Sequence, residues 1–192
     1  MTRNRRIQRG AVSGAGTMGA QIAAHLAGAN LQVLLLDVPG RESAPEEAAR
    51  GLTAAHPGVR NRPSRLGLER AQKARPPAFH LPEFASRVRV GNLEDDTGRL
   101  AEADWILEAV LEDMTVKRSV LARVDDCRRP GALVTTNTSG LSVASMAAGR
   151  SDDFRAHFLG AHFFNPPRTM RLVELVPTAD TLPETLDFVR DF

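Results

Sequence analysis

Residues 7–37 read IQRGAVSGAGTMGAQIAAHLAGANLQVLLLD and decide the fold. Two apolar runs, residues 7–13 and 31–37, have the composition of buried strands, and residues 17–27 between them have the periodicity of a helix. A glycine-rich turn joins the first strand to this helix, and Gly28 is placed to end the helix as a left-handed cap. Strand, helix and strand within about thirty residues predict one βαβ unit with parallel strands.

The turn of this unit has the pattern G-x-G-x-x-G, in Gly14, Ala15, Gly16, Thr17, Met18 and Gly19. The pattern alone is common, but its place between a strand and a helix is typical of a dinucleotide site. Gly14 would permit the tight turn, Gly16 the approach of a pyrophosphate, and Gly19 close packing of the helix on the strand. The partial positive charge of the helix N-terminus favours that pyrophosphate. A glycine-rich turn in an unrelated α/β fold is the alternative.

Asp37 ends the second strand, 18 residues after Gly19. A carboxylate at this position accepts hydrogen bonds from the adenosine ribose and repels a 2′-phosphate. Arg41 lies nearby and would favour NADP, but Asp37 argues for NAD. A solvated aspartate without a ligand is the alternative interpretation. NAD is therefore the predicted cofactor.

Further strands and helices alternate through the rest of the chain. Two final apolar runs, residues 157–164 and 170–176, are joined by a turn-rich segment and predict an antiparallel hairpin. The alternation predicts a Rossmann-type α/β fold, a doubly wound and mostly parallel sheet covered on both faces. The other predicted strands are residues 87–90, 104–110 and 132–137, and the other predicted helices are residues 97–103, 113–127, 142–148 and 183–192.

A basic excursion interrupts this alternation at residues 39–86. It is rich in proline, with helix-forming pieces between the prolines, and predicts a helical excursion on the surface rather than a second domain. Residues 58–89 carry eight basic side chains against two acidic ones.

The composition of the 192 residues, 42% hydrophobic and 25% charged, predicts a single domain over residues 1–192. No apolar run approaches the ~20 residues needed to span a membrane, and the N-terminal residues do not resemble a signal peptide. Cys127 is the only cysteine and is predicted to be a small helix residue, which indicates a reducing cytoplasm. A net charge of +2, with the aromatic residues clustered around residues 158–164 rather than along the basic stretch, argues against a nucleic-acid partner. No metal site is predicted.

The final hairpin brings together two residues that suit acid–base catalysis. If its centre lies near Arg168, His162 and Glu174 are each six residues away and face each other, with Cβ atoms about 5 Å apart. Alcohol oxidation needs such a pair, because the imidazole takes the hydroxyl proton while the carboxylate orients and stabilises the ring. The alternative is a satisfied core histidine and an exposed strand glutamate.

The glycine pattern and Asp37 are followed by four further motifs. These are EAVLEDMTVK at 108–117, NTS at 137–139, HFFNP at 162–166 and LVE at 172–174. In their order, and nearly in their spacing, these motifs together resemble those of the L-3-hydroxyacyl-CoA dehydrogenase family. The resemblance covers nearly the whole chain, with residues 39–86 as its weakest part. It is closest to the dehydrogenase portion of bacterial multifunctional β-oxidation proteins.

The resemblance implies roles for three catalytic positions. His162 matches the catalytic base, and Glu174 matches the carboxylate that orients it. Ser139 matches a residue that hydrogen-bonds the substrate beside the nicotinamide. A helix-capping role for Ser139 is the alternative, because a short helix follows.

Four further positions are implied to contact the cofactor. Asn137 follows a strand, where parallel sheets place ligand contacts, and Asn165 matches a contact to cofactor and substrate in the same pocket. Glu112 and Lys117 match positions that line the nicotinamide ribose. The alternative for Glu112 and Lys117 is a solvated pair at the start of a helix.

The implied activity is transfer of hydride from the 3-hydroxyl of an L-3-hydroxyacyl-CoA to NAD in fatty-acid β-oxidation. CoA carries phosphates, so the basic side chains of Arg70, Lys73 and Arg75 are candidates to bind it, with a solvated loop as the alternative. Family members continue into a helical domain that supplies dimer contacts, and this chain ends before that domain. We therefore expect a homodimer or a multifunctional assembly through a helical domain, which full activity would need.

Two other functions fit part of the pattern. A non-catalytic NAD-binding sensor or scaffold would need the glycine turn but not Ser139, His162 and Glu174. A β-hydroxyacid dehydrogenase acting on free acids would rely on a catalytic lysine, and the chain offers only Lys73 and Lys117.

Overall fold

The computed structural model describes residues 6–192, which form one seven-stranded sheet with helices on both faces. The strands are β1 Arg9–Ser13, β2 Gln32–Asp37, β3 Val88–Asn92, β4 Trp105–Glu108, β5 Leu133–Thr136, β6 Phe158–Phe163 and β7 Val173–Pro177. Their order is β3-β2-β1-β4-β5-β6-β7, and only β7 runs antiparallel, beside β6. The predicted Rossmann-type sheet and its final antiparallel hairpin are confirmed.

Eight α-helices and two short 3-10 helices connect the strands of the described residues. The α-helices are α1 Thr17–Gly28, α2 Pro45–Ala49, α3 Pro57–Arg60, α4 Arg62–Lys73, α5 Met114–Cys127, α6 Val143–Ala147, α7 Asp152–Ala156 and α8 Pro183–Asp191. The 3-10 helices are Pro82–Arg87 and Thr97–Glu102, and the second replaces the helix predicted at residues 97–103. None of the helices in this part of the chain has both the length and the apolar character needed to cross a bilayer.

Two apolar cores lie on opposite faces of the sheet, because successive strand residues point to opposite sides. Val12 and Leu107 belong to the core that includes α1, whereas Ala11 and Ile106 belong to the core that includes α5. Burial on both faces explains why these strands are continuous apolar runs rather than alternating ones.

The order of the strands reverses beside β1, which has β2 on one side and β4 on the other. In open parallel sheets, such a reversal leaves a crevice beyond the carboxyl ends of the strands, where ligands bind. Ser13, Asp37 and Glu108 are the last residues of these three strands, so their side chains lie at the edge where a site is expected.

The end of α1 corrects the cap predicted at Gly28. The helix includes Gly28, and the left-handed residue is Asn30, with φ of 70°. Asparagine is one of the few non-glycine residues that readily adopts this conformation. The small size of Gly28 instead permits a close approach, since a Cβ there would lie 3.2 Å from Nδ1 of His80.

The final hairpin is shorter on its second side than predicted. β7 begins at Val173, and the side chains of Met170 and Leu172 before it are 43% and 53% exposed. β7 is the edge strand of the sheet. Leu175 of the second apolar run packs against the core, whereas Val173 and Val176 are exposed.

The basic excursion folds into α2, α3 and α4, as predicted in outline. α4 lies against the glycine turn, because a Cβ added at Gly67 would be 2.3 Å from the carbonyl oxygen of Ala15. Part of the positive charge is neutralised by acidic residues from outside residues 58–89. Arg60 pairs with Glu94 and Asp95, and Arg62 pairs with Glu47.

Candidate active site at the carboxyl edge of the sheet

Each of the three motif glycines in the turn after β1 suits its position for a different physical reason. Gly14 has φ of 103°, and a Cβ there would lie 2.4 Å from the carbonyl oxygen of Ala109. A Cβ at Gly19 would lie 1.9 Å from the carbonyl oxygen of Gly14. Gly16 caps α1 without a side-chain hydrogen bond, and a Cβ there would meet nothing within 4 Å. The open space at the start of α1 therefore fits a pyrophosphate.

Asp37 binds the same turn from the end of β2. Its Oδ2 accepts a hydrogen bond from the N–H of Ala15 at 2.7 Å, and its Oδ1 accepts one from Val38 at 2.7 Å. Arg41, the residue that would favour NADP, instead pairs with Glu94. The side chain at the ribose position is thus an acid, and the arginine four residues after it is already paired.

A cleft of about 840 Å³, named the central cleft here, opens between the glycine turn and the ends of β4, β5 and β6. Eleven of the predicted site residues line it, and the other nine are Val38, Leu93, Val116, Val120 and the five residues of segments 109–111 and 163–164. The eleven are Gly14, Gly16, Thr17, Met18, Asp37, Glu112, Lys117, Asn137, Ser139, His162 and Asn165. Ala15 and Gly19 are buried beneath the turn and shape it from below.

His162 and Glu174 are paired in the predicted register across β6 and β7. Nδ1 of His162 lies 2.8 Å from Oε2 of Glu174. The histidine side chain is 21% exposed, so it is not a core residue, and the ring of Phe164 packs 4.6 Å from it, centroid to centroid. Because Nδ1 is bound, Nε2 is the ring nitrogen left for a substrate in the cleft.

Asparagine side chains hold the two sides of the central cleft. Oδ1 of Asn137, just after β5, accepts a hydrogen bond from the N–H of Phe163 at 2.8 Å. Oδ1 of Asn165 accepts one from Nε2 of Gln21 on α1 at 3.4 Å. These bonds tie the strand that carries His162 to β5 and to the helix that begins at the glycine turn.

A buried ionic cluster forms the wall of the cleft below α5. Nζ of Lys117 lies 2.8 Å from Oε1 of Glu108 and 3.2 Å from Oε2 of Glu112. The side chain of Lys117 is only 1% exposed and that of Glu108 is fully buried. The solvated helix-start pair considered for Lys117 is therefore wrong, because two carboxylates draw its ammonium inward.

Glu112 anchors the loop after β5. Its Oε1 accepts hydrogen bonds from the N–H groups of Ser139 at 3.1 Å and Gly140 at 3.3 Å, and from the hydroxyl of Thr138. Burial acts to raise the pKa of Glu112, but the bonds from Thr138, Lys117 and Gly140 outweigh it, and the pKa lies below its ordinary value. The carboxylate is thus held charged at the mouth of the cleft.

Comparison with known proteins identifies this arrangement. A model of the NAD-binding domain of 3-hydroxyacyl-CoA dehydrogenases matches residues 10–192. The chain belongs to this family. It is an oxidoreductase family whose domain binds NAD, and the open cradle at Gly16 and the acid at Asp37 fit that cofactor.

Two curated relatives and one solved structure show how far the similarity extends. A probable 3-hydroxyacyl-CoA dehydrogenase of Bacillus subtilis is 46% identical over 98% of this chain, which covers 24% of that protein. One of Deinococcus radiodurans is 42% identical over 97% of the chain and 49% of its own length. The crystal structure of 3-hydroxybutyryl-CoA dehydrogenase from Escherichia coli K12 has a TM-score of 0.69 and 31% identity, over 97% of this chain and 36% of that one. The chain spans at most about half of these proteins.

Ser139 of this 3-hydroxyacyl-CoA dehydrogenase domain lines the cleft and does not cap a helix. α6 begins at Val143, and its cap is Ser142, whose hydroxyl accepts the N–H of Ser145. The capping alternative for Ser139 is wrong because the cap lies three residues beyond it and the helix begins four residues beyond it.

Arg70, Lys73 and Arg75 lie beside the central cleft rather than in its lining. Arg70 donates to the carbonyl oxygen of Ala15 at 3.1 Å, and Arg75 donates to that of Ala74. Arg168, at the tip of the hairpin, donates to the carbonyl oxygen of Pro77 at 2.6 Å. The end of the excursion therefore contacts both the glycine turn and the catalytic hairpin, and the predicted CoA contacts stay a prediction.

Two residues of the family site have no role in the sequence analysis above. Glu108 and Thr138 both contact the cluster around Glu112 or Lys117. The sequence contained a signal for Glu108, because a carboxylate ends the apolar strand Trp105–Glu108. A buried charge needs a partner, so this position indicates an ion pair. Thr138 has no such signal, because a threonine after a strand is unremarkable.

Proposed function

We propose that the chain is the NAD-binding part of an NAD-dependent L-3-hydroxyacyl-CoA dehydrogenase that acts in fatty-acid β-oxidation. The observation that carries this proposal is the pair of His162 and Glu174: Nδ1 and Oε2 lie 2.8 Å apart, and His162 lines the same cleft as the glycine turn. A sensor or scaffold that only binds NAD has no use for an oriented imidazole there.

The residues suit oxidation of a secondary alcohol. Nε2 of His162 accepts the proton of the 3-hydroxyl, and Glu174 stabilises the imidazolium that forms. Ser139 donates a hydrogen bond to the same substrate oxygen. Bound NAD supplies the hydride acceptor. In the reverse direction, the protonated imidazole returns the proton to the 3-keto oxygen.

The position of the excursion supports acyl-CoA as the substrate class. Arg70 and Arg75 donate to backbone carbonyls, and neither forms an ion pair within residues 6–192. Their charges are therefore not neutralised by acidic side chains, in contrast to Arg60 and Arg62. Together with Lys73 they provide positive charge beside the cleft for the phosphates of CoA.

A helical domain, joined to this one in a dimer or in a multifunctional assembly, is part of the proposal. The exposed side chains of Met170, Leu172 and Val176 at the sheet edge offer an apolar surface for it. The Bacillus subtilis relative, of which the chain covers 24%, has ample length for further domains. We propose a cytoplasmic location, which the single unpaired cysteine supports.

Substrate turnover by the complete protein tests the function. NADH formation is measured by absorbance with L-3-hydroxybutyryl-CoA and NAD, and the D isomer and free L-3-hydroxybutyrate are the controls. We expect activity with the L acyl-CoA alone. NAD binding without turnover of any of the three would support the sensor, and turnover of the free acid would support the β-hydroxyacid dehydrogenases.

A further inference from the structure

Glu108 is a buried carboxylate with three donors. It ends β4 after the apolar residues of that strand, and its side chain is fully buried. Its Oε1 accepts Nζ of Lys117 at 2.8 Å and the N–H of Val110 at 2.7 Å, and its Oε2 accepts the hydroxyl of Thr136 at 2.5 Å. A buried charge is tolerated only when it is paired and hydrogen-bonded in this way.

These contacts continue to the loop that carries Ser139. Lys117 also binds Oε2 of Glu112 at 3.2 Å and donates to the carbonyl oxygen of Val110 at 3.3 Å. Glu112 in turn accepts the N–H groups of Ser139 and Gly140. An unbroken path of ion pairs and hydrogen bonds therefore runs from Glu108, through Lys117 and Glu112, to the loop at the mouth of the cleft.

The charges of this path do not balance. Two carboxylates share one ammonium, so the cluster carries a net charge of −1 when Lys117 is protonated. The ammonium N–H groups of Lys117 are shared between the two carboxylates. The oxygen lone pairs of Glu112 that Lys117 does not use accept the N–H groups of the loop. If Glu108 lost its charge, Lys117 would bind Glu112 more strongly and draw it away from the N–H groups of Ser139 and Gly140.

We propose that Glu108 is a positioning residue that acts through Lys117 to hold Glu112, and with it the backbone of Ser139, in the geometry the site needs. The effect on the loop is a property of the protein without ligand. Its consequence for NAD rests on the proposed function, because it assumes that the nicotinamide end of the cofactor lies beside Ser139.

The first test is amide hydrogen exchange of residues 137–141 in the ligand-free chain. Glu108→Gln keeps the shape, because its amide oxygen can still accept from Lys117 and its amide nitrogen can donate to Thr136. We expect the Ser139 and Gly140 amides to exchange about tenfold faster, as when a charge-assisted hydrogen bond is lost. Thr136→Val, which removes one hydroxyl, should give a smaller increase and carries the test if Glu108→Gln does not fold.

A double-mutant cycle separates positioning from general loss of structure. If Glu108 acts through Glu112, then Glu108→Gln should add nothing to the exchange of these two amides in a Glu112→Gln background. Equal increases in both backgrounds would overturn the proposal, as would unchanged exchange in the folded single variant.

Asp153→Asn is the matched control. Asp153 pairs with Arg128, whose side chain is 3% exposed, at 2.7 Å, and it lies in α7, outside the lining of the cleft. This variant should lower Tm, as Glu108→Gln does, and leave the Ser139 and Gly140 amides unchanged.

Binding of two ligands tests the functional consequence. NAD should bind Glu108→Gln several-fold more weakly than the parent, whereas ADP-ribose, which lacks the nicotinamide, should bind both equally. Equal losses for the two ligands would contradict an effect at the nicotinamide end. If the parent chain bound neither ligand, the assignment of the NAD site would be wrong. The amide hydrogen exchange would still test the positioning role of Glu108.

Discussion

His162 on β6 and Glu174 on β7 face each other across the only antiparallel pair of the described sheet, with Nδ1 and Oε2 2.8 Å apart. An antiparallel pair next to a parallel sheet allows residues twelve apart in sequence to meet at the carboxyl edge. The imidazole of His162 therefore lines the central cleft together with the glycine turn, which lies on the other side of β4 and β5.

This pair predicts the effect of removing the base. In the complete protein, His162→Gln should reduce turnover by about 10²–10⁴-fold, the usual loss for a general base. NAD affinity should stay near that of the parent, because the ring meets the substrate oxygen rather than the adenosine. Glu174→Gln should reduce turnover less, since Gln still orients the ring but does not stabilise imidazolium. Stopped-flow turnover and calorimetry check these effects, and parental rates in either variant would show that the pair is not catalytic.

The glycines of the turn should divide into two classes. Gly16→Val should fold normally, because its Cβ points into open space, but it should abolish measurable NAD binding by filling the cradle. Gly19→Ala should instead destabilise the fold by about 1–3 kcal/mol, as overpacking does, since its Cβ would lie 1.9 Å from a backbone oxygen. Thermal unfolding and calorimetry distinguish the two. Tight NAD binding by Gly16→Val would place the pyrophosphate elsewhere.

Asp37 should select NAD over NADP. Asp37→Asn retains an acceptor for the N–H of Ala15 but removes the charge that repels a 2′-phosphate. NAD binding should weaken by about 1–3 kcal/mol, the scale of hydrogen bonds to charged groups. The difference between the affinities for NAD and NADP should become smaller. Calorimetry with both cofactors measures this. Equal affinities of the parent for NAD and NADP would be evidence against the role of Asp37.

Neutralising Arg70, Lys73 and Arg75 together should weaken binding of CoA-bearing substrates and flatten the dependence of that binding on salt. Charges at the surface are screened beyond a Debye length of ~8 Å at physiological ionic strength. A pantetheine analogue without the nucleotide should bind the triple variant as it binds the parent.

The matched control changes three arginines at the opposite edge of the sheet, Arg9, Arg89 and Arg99, to glutamine. This control should leave the salt dependence of CoA binding intact. If the Arg70, Lys73 and Arg75 variant behaves like the control, the excursion is a solvated surface.

His25 should make the fold less stable in mild acid. Burial, and then the nearby His80, lower the pKa of His25 below 6.5, and its Nδ1 is buried without a hydrogen-bond partner within residues 6–192. Below pH ~6.5 the unfolded state therefore binds more protons than the folded state, and the free energy of unfolding falls as pH drops toward the folded-state pKa. Denaturant unfolding between roughly pH 7 and 5 should show a smaller fall for His25→Leu. An identical pH dependence in this variant would exclude His25 as the cause.

Local patterns were enough to predict the strands, the glycine turn and the pairing of His162 with Glu174. The βαβ unit follows from apolar periodicity, and the pairing of His162 with Glu174 follows from counting outward from one turn, because side chains in a hairpin repeat every two residues. Each of these features depends on residues close together in sequence. The end of α1 shows the limit even there, since both Gly28 and Asn30 suit a left-handed cap and only the structure shows that Asn30 adopts that conformation.

Tertiary structure alone decided which charges are free and which are paired. Along the sequence, the arginines of the excursion outnumber its acidic residues. In the fold, however, Arg60 pairs with Glu94 and Asp95, which lie just after β3. From the sequence alone, Lys117 could be a solvated residue of α5. In the fold, β4 places Glu108 beside its ammonium. The sequence alone determines which motifs line the cleft, because each motif is local. The electrostatics around it depend on long-range contacts, since the energy of a charge is set by its burial and its partners in space.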